Sequence, residues 1–224
     1  MKGAVLKKQY AADLGGLHDW QSRPQPETVP TGIAAVDGVI GGLPRGGLTE
    51  IFGPASSGRT SLLISILAEA TARQECCALM DAGDAFHPAC AEAAGVNLER
   101  VLWVRCGHNA EHALKTADLL VQGGGFGLIA MDLGDTPQIA ARRISMVSWF
   151  RLRRAVEHTP TVLIALACQS NAKTCASLML ECARERVAWS GVRHCSRLLR
   201  GMFIRVARRK PSTAGVAHVL LPLR

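Results

Sequence analysis

Residues 48–61 read LTEIFGPASSGRTS, and an apolar run, LLISILAEA, follows over 62–70. Residues 48–52 predict a strand, the glycine-bounded residues predict a loop, and the apolar run predicts a helix. In that order the loop amides and the helix N-terminus point at one anion, which is the geometry of a phosphate-binding loop, or P-loop. The pattern is G-x-x-x-x-G-K-[ST] with Arg59 in place of the lysine. A glycine-rich turn that opens an ordinary helix is the alternative.

The charge of the chain is uneven. Its 224 residues carry a formal net charge of +8, and the segment over 181–224 holds ten basic residues against Glu181 and Glu185. This excess favours acidic partners, nucleic acid first, although a solubilising basic tail has the same composition. The length suits one α/β domain with a core.

Eight cysteines are present, with no C-x-x-C pair and no histidines at zinc-finger spacing. We therefore expect reduced, mostly buried thiols and a cytoplasmic protein. The chain shows no secretory signal and no apolar run of membrane-spanning length, so no membrane partner is expected.

Residues 1–30 predict an N-terminal tether that is partly disordered. Prolines stand at 24, 26 and 30, and helical spacing is confined to a short stretch over 10–17. Ordered structure is expected to start at Thr31, which can cap a helix over 33–40. The domain then occupies residues 31–224.

A family resemblance rests on two motifs, T-G-x-x-x-x-D-x-x-x-G-G-L-P-x-G and G-P-x-S-S-G-[KR]-T. Together they resemble the RecA recombinase family. The residues that carry the resemblance are Thr31, Gly32, Asp37, Gly41, Gly42, Leu43, Pro44, Gly46, Gly53, Pro54, Ser56, Ser57, Gly58 and Thr60. A RecA-like P-loop fold implies an α/β architecture, with a doubly wound, mostly parallel sheet and helices on both faces.

The remaining elements follow the family's order as far as residue 221. Predicted strands lie over 76–81, 101–105, 128–131, 161–167, 175–181, 202–207 and 217–221, and predicted helices over 89–94, 111–122 and 138–157.

The resemblance implies a site for ATP with Mg²⁺. Asp132 follows the strand over 128–131, where a carboxylate can hold the water shell of Mg²⁺ together with Thr60, or can simply cap the next loop. In the family a glutamine after the strand over 161–167 senses the γ-phosphate, and Gln169 matches it. The expected nucleotide-binding residues are Gly53, Pro54, Ala55, Ser56, Ser57, Gly58, Arg59, Thr60, Ser61 and Gln169.

Two working parts of the family pattern are changed. The family's water-activating glutamate falls on Gly83, and its aspartate near the adenine falls on His87. Glycine cannot accept a proton, and the neighbouring Asp84 points elsewhere on an extended segment. Arg59 keeps a positive charge near the β- and γ-phosphates but does not place it as a lysine does. We therefore predict nucleotide binding with slow or absent hydrolysis.

The two loops that grip DNA in a recombinase are short here, at 133–137 and 170–174. Arginines on the helix over 138–157, and a basic turn over 208–211, can contact phosphates or an acidic partner, or can be ordinary solvated charges. The candidates are Arg142, Arg143, Arg151, Arg154, Arg208, Arg209 and Lys210.

Short DNA loops, the lost glutamate and basic C-terminal strands together resemble the ImuA-type branch of the RecA superfamily. That resemblance implies an SOS-induced accessory factor in translesion synthesis, which scaffolds error-prone polymerase components and contacts single-stranded DNA. Two alternatives stay open: an active DNA-dependent ATPase of recombination type, and a RecA-like regulatory ATPase that acts on proteins. RecA relatives often assemble head to tail, so a homo-oligomer is a further expectation.

Overall fold

The computed structural model describes residues 27–190, 198–211 and 215–222. The predicted helix over 10–17 and nearly all of the predicted tether lie outside these residues. The end of the tether is described: Thr28–Val29 form strand β1, which pairs antiparallel with strand β2 at Leu43–Pro44, and Val29 is buried. Residues 28–29 of the predicted tether therefore belong to a short strand pair.

A single large sheet organises the described residues. Its strands are β3 (Gly47–Phe52), β4 (Cys77–Asp81), β5 (Val101–Arg105), β6 (Leu128–Asp132), β7 (Val162–Ala167), β8 (Leu178–Ser190), β9 (Leu198–Lys210) and β10 (Val216–Pro222). They lie in the order β10-β9-β8-β3-β7-β6-β4-β5. The pairs from β8 to β5 are parallel, and β9 and β10 add an antiparallel meander at one end.

Helices cover both faces of the sheet, which confirms the predicted α/β class and the RecA-like architecture. They are α1 (Ala34–Ile40), α2 (Arg59–Ala72), α3 (Pro88–Ala93), α4 (Ala110–Gly123), α5 (Gln138–Arg142) and α6 (Met146–Val156). Helices α1 to α3 share one apolar core with the sheet, and α4 to α6 share the other. None of the helices in the described ranges has the length and apolar character that crossing a bilayer requires.

The helix predicted over 138–157 is two helices. It breaks after Arg142, and Ser145 starts α6 by accepting a hydrogen bond on its hydroxyl from the amide of Ser148 at 3.2 Å. Serine hydroxyls compete with the helical backbone bonds, so a serine pair inside a helical pattern favours a new N-terminus. The break lets Trp149 and Leu152 turn into the core.

The C-terminal strands are longer than predicted, and the prediction of a basic turn over 208–211 is wrong. Residues 208–210 belong to β9, where Leu180 pairs with Arg208 and Met179 pairs with Lys210. Arg209 forms an ion pair with Glu181, and the Lys210 ammonium donates to two carbonyls in the segment before β8. These cross-strand contacts extend the ladder into a charged stretch that looks like a turn in the sequence.

Thr31 does not cap α1. Its hydroxyl accepts from the amide of Ile33 at 3.2 Å, while its own amide donates to the Asp37 carboxylate at 2.8 Å. The residue preceding α1 is Ile33, which makes no side-chain cap. The threonine and aspartate of the first motif therefore fasten the segment before α1 to the helix itself.

Candidate nucleotide-binding site

Four loops meet at one edge of the sheet. Parallel register aligns Phe52 with Ala167, Asp132 with Leu166, and Asp81 with Asp132. The segments after β3, β4, β6 and β7 therefore leave the sheet at the same level. In an open α/β sheet this is the edge at which ligands bind.

The P-loop has the expected strand–loop–helix geometry. Gly58 precedes α2 with φ +88°, and Ser56 also has a positive φ of 58°. Pro54, Ala55 and Ser56 are exposed, as are Thr60 and Ser61, whereas Gly53, Ser57, Gly58 and Arg59 are buried. The exposed loop and the N-terminus of α2 thus form a face that an anion can approach.

Strands β8 and β9 support the buried side of the P-loop. A Cβ on Gly58 would lie 2.7 Å from Cγ2 of Ile204, and a Cβ on Gly53 would lie 2.3 Å from the carbonyl oxygen of Cys182. Only glycine fits at either position. The meander is therefore part of the site's scaffold.

Arg59 turns into the protein. Its Nη1 donates to the carbonyl of Gly53 at 2.7 Å, and its Nη2 donates to the carbonyl of Gly134 at 2.9 Å and to Oδ1 of Asp135 at 3.3 Å. The residue is 4% exposed, and its Nε has no partner among the described residues. The guanidinium of Arg59 thus links the start of the P-loop to the loop after β6 through hydrogen bonds.

Asp132, the expected magnesium residue, is buried, and its Oδ1 accepts from the amide of Gly134 at 2.7 Å. The pKa of Asp132 is raised to about 6, chiefly by burial and in smaller part by the carboxylates of Asp135 and Asp81, while the Gly134 amide and Arg59 act in the opposite direction. Thr60 is exposed, and no hydrogen bond joins it to Asp132 within the described chain. A hydroxyl and a carboxylate are oxygen donors of the kind Mg²⁺ takes, so the donor chemistry suits the ion once Asp132 is ionised.

We predict that Asp132→Asn stabilises the protein above pH 6. Because the folded pKa of Asp132 lies above its unfolded value, the folded state holds the proton more tightly, and stability falls as pH rises from 4 to 6. A shift of this size corresponds to at most about 3 kcal/mol, and the amide keeps an acceptor for Gly134. Urea unfolding should show a gain of about 1–2 kcal/mol at pH 8 that vanishes by pH 4; a gain independent of pH would contradict the assignment.

The family's catalytic position is closed by packing. A Cβ on Gly83 would lie 2.9 Å from the Cβ of Asp135, so a glutamate there would have to displace the loop after β6. Asp84, with φ +54°, pairs its two oxygens with Nε and Nη2 of Arg105 at 2.9 Å each, which lowers the pKa of its carboxyl. Asp84 is therefore engaged by Arg105 of β5, and its positive φ shows that the segment here is not the extended one that the prediction assumed.

His87 and Asp81 shape the loop after β4. The Nδ1 of His87 accepts from the amide of Cys90 at 3.3 Å and caps α3. The Asp81 carboxylate accepts from the amides of Ala85 and Phe86 at 3.1 and 2.9 Å. Both residues therefore have local structural partners.

Sequence reasoning missed Glu50. This carboxylate lies inside β3 with no exposed surface, and it accepts from the Ser170 hydroxyl at 2.7 Å, the Ala172 amide at 2.8 Å and the Asn171 amide. It therefore fixes the loop that carries Gln169. A glutamate within an otherwise apolar strand was the available signal.

Gln169 accepts on Oε1 from Nη2 of Arg142, so the expected sensor joins the loop after β7 to α5. Arg142, Arg143 and Arg154 are exposed, beside the exposed Ile139, Val147 and Phe150. Arg151 pairs with Asp118 at 3.4 Å. The arginines of this stretch are thus exposed to solvent, as are three apolar side chains of the same two helices.

The C-terminal strands, which the sequence predicts to be basic, carry an arginine beside an aromatic ring. On the outward face of the meander the guanidinium of Arg186 lies 3.8 Å from the ring centre of Phe203, in the row that includes Leu220. Helix α1 packs on the opposite face through Val36. Alternation of exposed and buried residues in β10 gives the outward face to solvent.

The sheet order and the strand–loop–helix site define an α/β P-loop domain of RecA type. The chain belongs to the RecA N-terminal domain family, whose pattern matches residues 7–139. Protein RecA of Rickettsia bellii is 41% identical over 133 residues, which cover 58% of this chain and 38% of that protein. Protein RecA of Methylococcus capsulatus is 42% identical over 133 residues, with 58% and 35% covered. Protein RecA of Chloroflexus aurantiacus is 35% identical over 180 residues, with 73% and 48% covered. The chain spans less than half the length of these relatives.

Proposed function

We propose that this chain is a RecA-like accessory factor of DNA repair that binds nucleotide and hydrolyses it slowly or not at all. The observation that carries this proposal is the interlocking of Arg59, Gly134 and Asp135 beside Gly83. The P-loop fold is kept, while the catalytic position lacks a base and the space a base would need.

ATP with Mg²⁺ is the proposed ligand. The exposed P-loop amides and the N-terminus of α2 would receive the phosphates, and Thr60 with Asp132 would hold the ion. When bound, Mg²⁺ would offset phosphate charge. Among the described residues around that position, Gly83 has no side chain, Asp84 is paired with Arg105, and Asp135, which lies against Gly83, is paired with Arg59, so each nearby carboxylate is engaged by an arginine.

The proposed role is scaffolding of translesion polymerase components on single-stranded DNA, in the SOS response. The resemblance to the ImuA-type branch supports it, together with the exposed Arg142, Arg143 and Arg154 near apolar Phe150. Arginine with exposed aromatic and aliphatic groups is typical of surfaces that bind nucleic acid or protein. The seven cysteines of the described ranges are free thiols, which accords with the proposed cytoplasmic setting.

The membership of the RecA family also supports the second candidate, an active DNA-dependent ATPase of recombination type, and the proposed head-to-tail homo-oligomer belongs to both. A regulatory ATPase acting on proteins would need no DNA. DNA binding therefore distinguishes the regulatory ATPase from the other two candidates. ATP turnover distinguishes the active recombination-type ATPase from the accessory factor.

The proposed role is tested by DNA and polymerase binding. We expect oligo(dT) to bind with salt-sensitive affinity, and Arg142→Ala, Arg143→Ala and Arg154→Ala together to lower the salt slope by about 2. A charge-matched control replaces Arg100, Arg105 and Lys115 with alanine and should leave the slope unchanged. We also expect a translesion polymerase component to co-purify after DNA damage. Failure of both bindings would sink the scaffold role.

A further inference from the structure

The Arg59 guanidinium reaches a carbonyl that lies 75 residues further along the chain. It holds the Gly53 carbonyl at the start of the P-loop and the Gly134 carbonyl after β6. Gly134 also accepts from the thiol of Cys168 at 2.9 Å. Three of the four loops at the sheet edge therefore converge on two carbonyls.

Arg59 packs closely against Gly134, but one of its hydrogen-bond donors has no acceptor among the described residues. A Cβ on Gly134 would lie 2.8 Å from both Nε and Nη2 of Arg59 and 2.9 Å from Oδ1 of Asp132. Yet the buried Nε has no acceptor among the described residues, and the Asp135 side chain that helps to hold Nη2 is 53% exposed. A buried guanidinium with one unused donor, two neutral carbonyl partners and one half-exposed carboxylate partner favours a more highly charged anion when one binds.

We propose that Arg59 is a lock between the P-loop and segment 133–137, and that a bound triphosphate opens it by taking over the guanidinium. This inference rests on the proposed nucleotide binding and names its regulation. In the empty protein Arg59 holds Gly134 and Asp135 against the P-loop; in the bound state the phosphates replace those two acceptors.

Release of Arg59 would affect only the segment that follows Leu133. Leu133 remains fixed, because its amide donates to the carbonyl of Leu166 at 2.8 Å. Beyond Asp135 the chain enters Thr136, Pro137 and α5, which carries Arg142. Opening the lock therefore frees the segment between Leu133 and α5.

The test measures backbone hydrogen exchange of residues 133–142, with and without tripolyphosphate as the probe. Arg59→Lys removes the bridge to Gly134 and should raise exchange of this segment in the free protein about tenfold. Tripolyphosphate should raise wild-type exchange in the same segment.

Asp135→Ala should raise exchange of this segment and strengthen tripolyphosphate binding several-fold, because the Asp135 carboxylate no longer competes for Arg59. Asp84→Ala breaks an ion pair of the neighbouring loop and should change neither readout.

Unchanged exchange in both Arg59→Lys and Asp135→Ala would overturn the lock. Tripolyphosphate binding without any change in exchange would overturn the lock and leave the proposed nucleotide binding intact. If exchange rises in the variants but tripolyphosphate and ATP bind to none of the proteins, the phosphate-operated switch and the proposed nucleotide binding both fall.

Discussion

Replacing Glu50 with alanine is expected to lower the free energy of unfolding by about 3–5 kcal/mol. The carboxylate is fully buried and accepts three hydrogen bonds, from Ser170, Asn171 and Ala172. Alanine leaves those donors without acceptors inside the protein and opens a cavity. Urea unfolding followed by circular dichroism gives the value directly.

Two further variants test this interpretation of Glu50→Ala. Glu50→Gln keeps the volume and one acceptor oxygen, so about half of the loss is expected. Glu92→Ala removes an exposed carboxylate from α3 and should stay within about 0.5 kcal/mol of wild type. A loss below about 1 kcal/mol for Glu50→Ala would mean that the loop after β7 does not depend on this carboxylate.

Gly53→Ala is the second large effect, with an expected loss of about 3 kcal/mol. The new Cβ would lie 2.3 Å from the backbone oxygen of Cys182 and 2.6 Å from Oγ of Ser57, so β8 or the P-loop must move. The melting temperature and the affinity for phosphate should both fall, because the loop amides shift with the backbone. Gly123→Ala, at the last residue of α4 with no atom within 4 Å of its added Cβ, should be neutral or stabilising by up to about 1 kcal/mol. Equal effects for the two glycines would contradict the packing of the meander against the P-loop.

Much of the fold could be read from the sequence, because its signals are local. The glycines and the apolar run around 53–70 fix a strand, a loop and a helix, and β5 lies over the predicted 101–105. The ends of β8 and β9 could not be read, since they depend on cross-strand partners such as Glu181 for Arg209.

The site was only partly legible. The sequence shows that Arg59 replaces a lysine and that Gly83 replaces a glutamate. The direction of Arg59 is set by Gly134, a glycine far along the chain that leaves room for the guanidinium. The role of Glu50 depends equally on a loop 120–122 residues away. Long-range partners of this kind leave no periodic trace in the sequence.

We propose that this RecA-family chain kept the P-loop fold and lost ATP turnover. ATP binding and turnover by the purified protein, with and without single-stranded DNA and with Arg59→Lys beside wild type, test it most directly. We predict that ATP binds and that phosphate release does not rise with DNA, even in Arg59→Lys, because position 83 still lacks a base. Magnesium-dependent turnover by the wild-type chain that increases with single-stranded DNA would contradict the account and establish an active recombination-type ATPase.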